Sequence, residues 1–135
     1  MTGVQTCALP ILAVTPEAGP FFGKLLEAVT VSHILHLQAQ GPGSFAKHMA
    51  LDAFYNEIGD LADQIIEEYQ GCYDLIMDYK REIEVPSDAL EYIEDLYEYV
   101  ESNRYQVSDE THIQNRIDEI CGLIARTRYK LRFLE

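Results

Sequence analysis

Five side chains that commonly bind metal ions recur at regular intervals within one stretch of the chain. They are His36, His48, Asp52, Asp63 and Glu67. His48 and Asp52 lie four residues apart, a spacing that places both on one face of a helix. Asp63 and Glu67 repeat that spacing. The eleven positions from Asp52 to Asp63 make almost three helical turns at about 3.6 residues per turn, so all four side chains share a face.

The two pairs are too far apart to bind one ion within a single straight helix. Three turns separate them by roughly 16 Å along the helix axis, whereas metal–ligand bonds are about 2 Å long. Two copies of the helix, packed antiparallel about a two-fold axis, would bring His48 and Asp52 of one subunit opposite the partner's Asp63 and Glu67. The spacing therefore predicts a homodimer that contains two equivalent intersubunit metal sites.

The same stretch resembles the iron-oxidising segment of the Dps proteins, or miniferritins. In that family a His ends the first helix, a Gly-containing turn follows, and the second helix carries His-x3-Asp and then Asp-x3-Glu. The matching positions are His36, Gly41, Phe45, His48, Asp52, Asp63 and Glu67. The resemblance is close over residues 30–71 and extends to the rest of the chain only in helical outline.

The resemblance implies a function and a complete set of site residues. All five predicted ligands, including His36, would bind iron and form the catalytic centre of a ferroxidase. Peroxide or dioxygen would oxidise Fe(II) at the dimer interface, and a dodecameric cage would store the ferric product. The segment FYNEIGDLADQIIEEYQG at 54–71 is also similar to a family of uncharacterised, largely phage-encoded proteins predicted to be ferritin-like. This chain is closer to that family than to a bacterial Dps.

The sequence departs from the Dps pattern at two points. Many Dps proteins have Trp directly after the first His, whereas this chain has Leu37 there and contains no Trp. Tyr55 is the nearby aromatic residue that could replace it. The Lys-rich tail with which many Dps proteins bind DNA is also absent.

The ligand types leave the metal and the role of the site open. Mixed His and carboxylate ligation fits Fe(II), with Mn(II) and Zn(II) as competitors. A viral helical-bundle structural or interaction protein with a structural metal site is one alternative, and a metal buffer without redox chemistry is another. His33 is predicted to be a packed histidine beside the ligands. The acids Glu57, Asp60 and Glu68 are predicted to lie on a solvated helix face.

Charge and composition restrict the partners and the compartment. The net charge of −13 and the pI near 4.5 argue against binding to nucleic acid. The basic residues near the end of the chain are explained by favourable charge at a helix C-terminus. No apolar run approaches the roughly 18 residues of a membrane span. Three cysteines without a pairing pattern indicate a reducing compartment, the cytoplasm or a host cytoplasm. Cys72 and Cys121 are predicted to be packing residues.

Hydrophobic periodicity predicts one all-α domain, a ferritin-like four-helix bundle spanning residues 12–135. The first helix is predicted to begin between residues 15 and 20 and to end near 38, the second to span about 45–70, the third to run from 86–88 to about 104, and the fourth to begin at 108–110. Ser44 is the expected cap of the second helix. The periodicity assigns Leu26, Leu37 and Met49 to the buried side. A long connection at 71–86, with a short helix inside it, is expected to cross the bundle.

The first residues are expected to lie outside this domain. The segment MTGVQTCALPI at 1–11 resembles the in-frame translation of a sequencing-library adapter. Residues 1–11, with Cys7, are therefore interpreted as an artefact and take no part in the predicted fold.

Overall fold

The computed structural model describes residues 11–135, which fold as a bundle of four α-helices. The helices are α1 (Ala18–Leu37), α2 (Ser44–Cys72), α3 (Ala89–Val107) and α4 (Thr111–Phe133). In this part of the chain the only β-pairing is an isolated parallel bridge between Leu12 and Tyr73. The predicted all-α four-helix fold is confirmed. Residues 1–10 of the segment interpreted as an artefact lie outside the described residues. Its last residue, Ile11, is described and is exposed.

Contacts between helices fix their directions. Glu68 pairs with Arg116, and Glu57, eleven residues earlier, pairs with Arg126, ten residues later. These pairings show that α2 and α4 are antiparallel. The helix α1 packs on α2, and α3 packs on α4, across short connections at 38–43 and 108–110. It follows that α2 and α3 run in the same direction and need a long connection, as predicted.

That connection, residues 73–88, is extended, and the short helix predicted inside it is wrong. Tyr73, Ile76 and Tyr79 point into the bundle at every third position. The Ile76 amide donates a hydrogen bond to Gln70 Oε1 at 2.9 Å. The segment is therefore held by its side chains and by α2, without helical hydrogen bonds of its own.

Two glycines on α1 explain why this connection is extended. A Cβ placed on Gly19 would collide with the carbonyl oxygen of Asp78, and one on Gly23 would collide with that of Lys80. The backbone of the connection thus lies directly against the backbone of α1. A helix, with a diameter of about 10 Å, could not approach so closely, whereas a single extended chain can.

The predicted helix starts are confirmed in part. Asp88 caps α3, and its side chain accepts a hydrogen bond from the Glu91 amide at 3.2 Å. The expected cap Ser44 is instead the first residue of α2. Gly43 precedes it with φ of 75°, and Gly41 has φ of 88°. Glycine adopts this left-handed conformation without steric cost, and the two glycines let the chain reverse between α1 and α2.

Three apolar residues of α1 and α2 that the periodicity assigns to the core are exposed. Leu26 is 43% exposed, Leu37 68% and Met49 49%, and the neighbouring Phe45 is 75% exposed. They lie on α1 and the first turns of α2, outside a core built around Phe22, Leu25, Phe54, Ile58, Ile93 and Ile117. We call Leu26, Leu37, Phe45 and Met49 the α1–α2 apolar patch. Helical periodicity identifies an apolar face correctly, but no other part of residues 11–135 covers this face.

None of the helices in residues 11–135 combines the length and apolar character that crossing a membrane requires.

Candidate metal centre

His36 and His48 form a stacked pair where α1 ends and α2 begins. Their ring centroids are 3.7 Å apart, with an angle of 20° between the ring planes. His36 Nδ1 lies 2.7 Å from the carbonyl oxygen of His48, and His48 Nδ1 lies 3.0 Å from that of His36. Because a carbonyl oxygen only accepts hydrogen bonds, each ring must carry its proton on Nδ1. In each neutral ring the lone pair is therefore on Nε2.

This arrangement is compatible with metal binding by both rings. Histidine ligands in proteins usually donate one ring N–H to a carbonyl or carboxylate and bind the metal through the other nitrogen. Among the described residues, no hydrogen bond occupies Nε2 of His36 or of His48. His36 is only 8% exposed and His48 is half-buried, so neither ring moves freely in solvent.

Asp52 lies one turn after His48 and is linked to an aromatic cluster. Tyr55 donates a hydrogen bond from its hydroxyl to Asp52 Oδ1 at 3.0 Å. This hydrogen bond, together with burial and the charge of Asp52, raises the pKa of Tyr55. The Tyr55 ring stacks on His33 with centroids 4.1 Å apart and meets His36 edge-on at 5.3 Å. His33 is exposed, and its described contacts are with these aromatic rings.

Asp63 and Glu67 form a separate acidic pair on the same helix. Both are exposed. A hydrogen bond shared with Asp63 and the repulsion between the two carboxylates raise the pKa of Glu67. A bound cation would relieve this repulsion, because an opposite charge stabilises both ionised carboxylates.

The five predicted ligands thus fall into two separate groups within one chain. We call His36, His48 and Asp52 the histidine half-site, and Asp63 and Glu67 the carboxylate half-site. In α2, Asp52 and Asp63 are separated by roughly 16 Å along the axis. Within residues 11–135, no three of the five predicted ligands bring their ligand atoms within 4.8 Å of one another. Their assignment as ligands therefore stays a prediction.

A different group of potential ligands does converge within the chain. Ligand atoms of Cys72, Glu110 and His112 all lie within 4.8 Å of one another. Cys72 was predicted to be only a packing residue. Burial, followed by the charges of Glu110 and Glu68, raises the pKa of the Cys72 thiol. The sequence gives no local signal for this group, since 38 positions separate Cys72 from Glu110 and only the packing of α2 on α4 brings them together.

Comparison with known proteins finds a similar phage protein and a matching family model. It is 28% identical over 119 residues to the "Uncharacterized 14.6 kDa protein in mobD-ri intergenic region" of Enterobacteria phage T4, which covers 85% of this chain and 88% of the relative. No solved structure matches the chain significantly. Residues 36–131, a segment that begins at His36 and includes both half-sites, match a family of unknown function, DUF5856. The chain therefore belongs to this family.

Proposed function

We propose that this protein binds Fe(II) at sites shared between two subunits and oxidises it with peroxide or dioxygen, as an iron-storing protein of the miniferritin type. The observation that carries the proposal is the reciprocal pair of hydrogen bonds between His36 and His48. They hold the two imidazoles in a stacked pair in which Nε2 of each ring is left for a metal. Asp52, one turn further along α2, adds a carboxylate to the same half-site.

The proposal requires a second copy of the chain, and one surface suits it. Three members of the α1–α2 apolar patch, Leu37, Phe45 and Met49, are exposed and lie within three residues of His36 or His48 in the sequence. Exposed apolar surface commonly marks an interaction site.

The expected two-fold axis would pass between Glu57 and Ile58, midway between the two pairs of predicted ligands. Close to it, the Asn56 side chain folds back to donate to the Asp52 carbonyl oxygen at 2.9 Å. Gly59 faces its own chain, because a Cβ at this position would meet Val29 of α1. Antiparallel packing of two α2 helices across the Asn56 side would place each histidine half-site opposite the partner's carboxylate half-site.

The ligand set favours oxidation of iron. Two imidazoles and three carboxylates are ligands that Fe(II) accepts, and the anionic carboxylates stabilise the Fe(III) product more than Fe(II). Each Fe(II) gives up one electron, and a pair of irons reduces one peroxide molecule, whose O–O bond breaks as protons are taken up to form water. Tyr55 lies next to Asp52 and His36, where a phenol could quench radicals formed with dioxygen or peroxide.

The experiment that tests this function is anaerobic loading of the full chain with Fe(II), followed by addition of peroxide or air. Ferric absorbance should rise faster than for the same iron in buffer. The fast phase should saturate at about one or two irons per subunit, as expected for one such ligand set. Oxidation no faster than in buffer would rule out the ferroxidase function. Mass in solution would distinguish a dimer from a dodecameric cage.

The phage relative supports a second candidate, a viral helical-bundle interaction protein in which the same residues hold a structural metal. A non-redox buffer for Mn(II) or Zn(II) is closely related to it. For either candidate, metal binds and the melting temperature rises, but the bound iron is oxidised no faster than free iron. The loading experiment therefore separates these candidates from the ferroxidase.

A further inference from the structure

A second cluster of metal-binding side chains lies where the C-terminus of α2 meets the N-terminus of α4. Cys72 is the last residue of α2, Glu110 immediately precedes α4, and His112 is in its first turn. Cys72 Sγ and His112 Nε2 are 3.3 Å apart. Cys72 and Glu110 are half-buried, and His112 is exposed. The three residues therefore combine a thiol, a carboxylate and an imidazole at a solvent-accessible position.

We propose that Cys72, Glu110 and His112 form a second metal site, which binds Zn²⁺ or a similar borderline divalent cation. Sulfur, nitrogen and carboxylate oxygen are the usual protein ligands of Zn²⁺. With Zn–S and Zn–N bonds of about 2.3 and 2.0 Å, tetrahedral geometry separates sulfur from nitrogen by about 3.5 Å. The 3.3 Å between Cys72 Sγ and His112 Nε2 is close to this value. Three protein ligands leave the fourth position for water.

The backbone around the cluster is fixed before any ion binds. The carbonyl oxygen of Cys72 accepts a hydrogen bond from the Leu12 amide at 3.0 Å. The Glu110 amide donates to Ser108 Oγ at 3.0 Å. Ser108 Oγ also lies 2.7 Å from the hydroxyl of Tyr73, the residue after Cys72. The segments that carry the thiol and the carboxylate are thus tied together, which reduces the rearrangement that binding requires.

The side chain of Glu110 remains available as a ligand. Glu110 stands at the N-cap position of α4, but its carboxylate makes no capping hydrogen bond. The nearest charged pair, Glu68 with Arg116 at 2.6 Å, is already neutralised internally. A cation at the cluster would therefore meet the charge of Glu110 and of a Cys72 thiolate without having to break the ion pair of Arg116.

This cluster is separate from the half-sites of the proposed iron centre. Cys72 follows His48 by 24 residues, or roughly 36 Å along α2. Glu67 is nearer in sequence, but five residues of helix rotate it by about 140° away from Cys72. The thiolate also distinguishes the cluster chemically, because sulfur ligands favour Zn²⁺ over the hard cations that carboxylates bind.

Co²⁺, whose spectrum reports thiolate coordination, gives a direct test. Titration of the reduced full chain under anaerobic conditions should produce a thiolate-to-cobalt charge-transfer band that saturates at one Co²⁺ per chain and disappears when Zn²⁺ is added. Cys72→Ser should abolish the band, and His112→Ala should weaken Co²⁺ binding about 10–100-fold, the range for loss of a metal-site partner. Cys7→Ser, Cys121→Ser and His48→Ala are matched controls that should keep it.

A band that persists in Cys72→Ser, or no band in the wild-type chain, would overturn the proposal. A measurement without substitution provides a second test: Zn²⁺ should slow alkylation of Cys72 by iodoacetamide at least about 10-fold, because a metal-bound thiolate is a poor nucleophile. Equal alkylation with and without Zn²⁺ would also overturn it. Both readouts are independent of iron oxidation. A negative result here therefore leaves the proposed function intact, and a negative result for iron oxidation leaves this second site intact.

Discussion

Replacement of His48 by alanine is expected to lower the initial rate of Fe(II) oxidation on the order of 100-fold, as expected when a metal site loses a ligand or its direct support. The change removes one imidazole and the stacking partner of His36. It leaves the carbonyl oxygen of residue 48, which His36 Nδ1 contacts at 2.7 Å. His36 should therefore keep its position, and the loss of rate should report the missing ligand.

Gln64→Ala is the matched control for this measurement. Like His48, Gln64 lies on α2 and is accessible to solvent, but it lies away from the ligand face. Both variants should keep the wild-type circular dichroism spectrum. Stopped-flow ferric absorbance after anaerobic loading gives the rates. If His48→Ala oxidises iron as fast as Gln64→Ala, His48 is not a ligand of the oxidising site.

Arg104→Ala is expected to lower the free energy of unfolding by about 1–3 kcal/mol, because it removes a buried side chain and leaves the half-buried Gln114 without its hydrogen-bond donor. Arg104 is only 7% exposed. Its guanidinium donates to the Gln114 side chain at 2.8 Å and to the Gln114 carbonyl oxygen at 3.0 Å. It also donates to Asp118 at 2.6 Å and so joins α3 to α4.

Arg128→Ala tests whether burial makes the difference. Arg128 also joins α4 to α3, through Glu94 at 2.8 Å, but these side chains are 46% and 39% exposed. Exposed ion pairs contribute at most about 1 kcal/mol, so this variant should unfold nearly like the wild type. Urea unfolding followed by circular dichroism gives both values. Equal losses of unfolding free energy for the two variants would mean that the hydrogen bonds of the buried Arg104 add no stability beyond that of an exposed ion pair.

The helices were predictable because their causes are local. Apolar spacing, the Asp88 cap and the glycine turn at 41–43 act within a few residues, and the structure places helix boundaries close to those expected. The connection at 73–88 was not predictable in this way, because Gly19 and Gly23 determine its extended form by allowing contact between distant backbones. Exposure of Leu26 and Met49 was missed for a related reason: periodicity marks an apolar face without showing what covers it.

The candidate sites likewise differ in whether their causes are local in the sequence. The four-residue spacing of Asp63 and Glu67 suffices to predict an acidic pair on one helix face. The reciprocal hydrogen bonds of His36 and His48 depend on how tightly the chain turns between them. The presence of two histidines in the sequence does not predict that geometry. The cluster around Cys72 depends on the packing of α2 on α4 alone, so sequence spacing carries no trace of it.

The most direct test of the shared site is complementation between two inactive variants, His48→Ala and Glu67→Ala. In a mixed dimer both losses fall on one site, and the other site keeps His48 from one subunit and Glu67 from its partner. The two variants are mixed in equal amounts, and native mass spectrometry verifies that their subunits have exchanged at random. Half of the dimers are then mixed and each has one intact site of two, so about a quarter of the wild-type oxidising sites should be restored. Mixed dimers that form but remain inactive would contradict an iron site built from two half-sites.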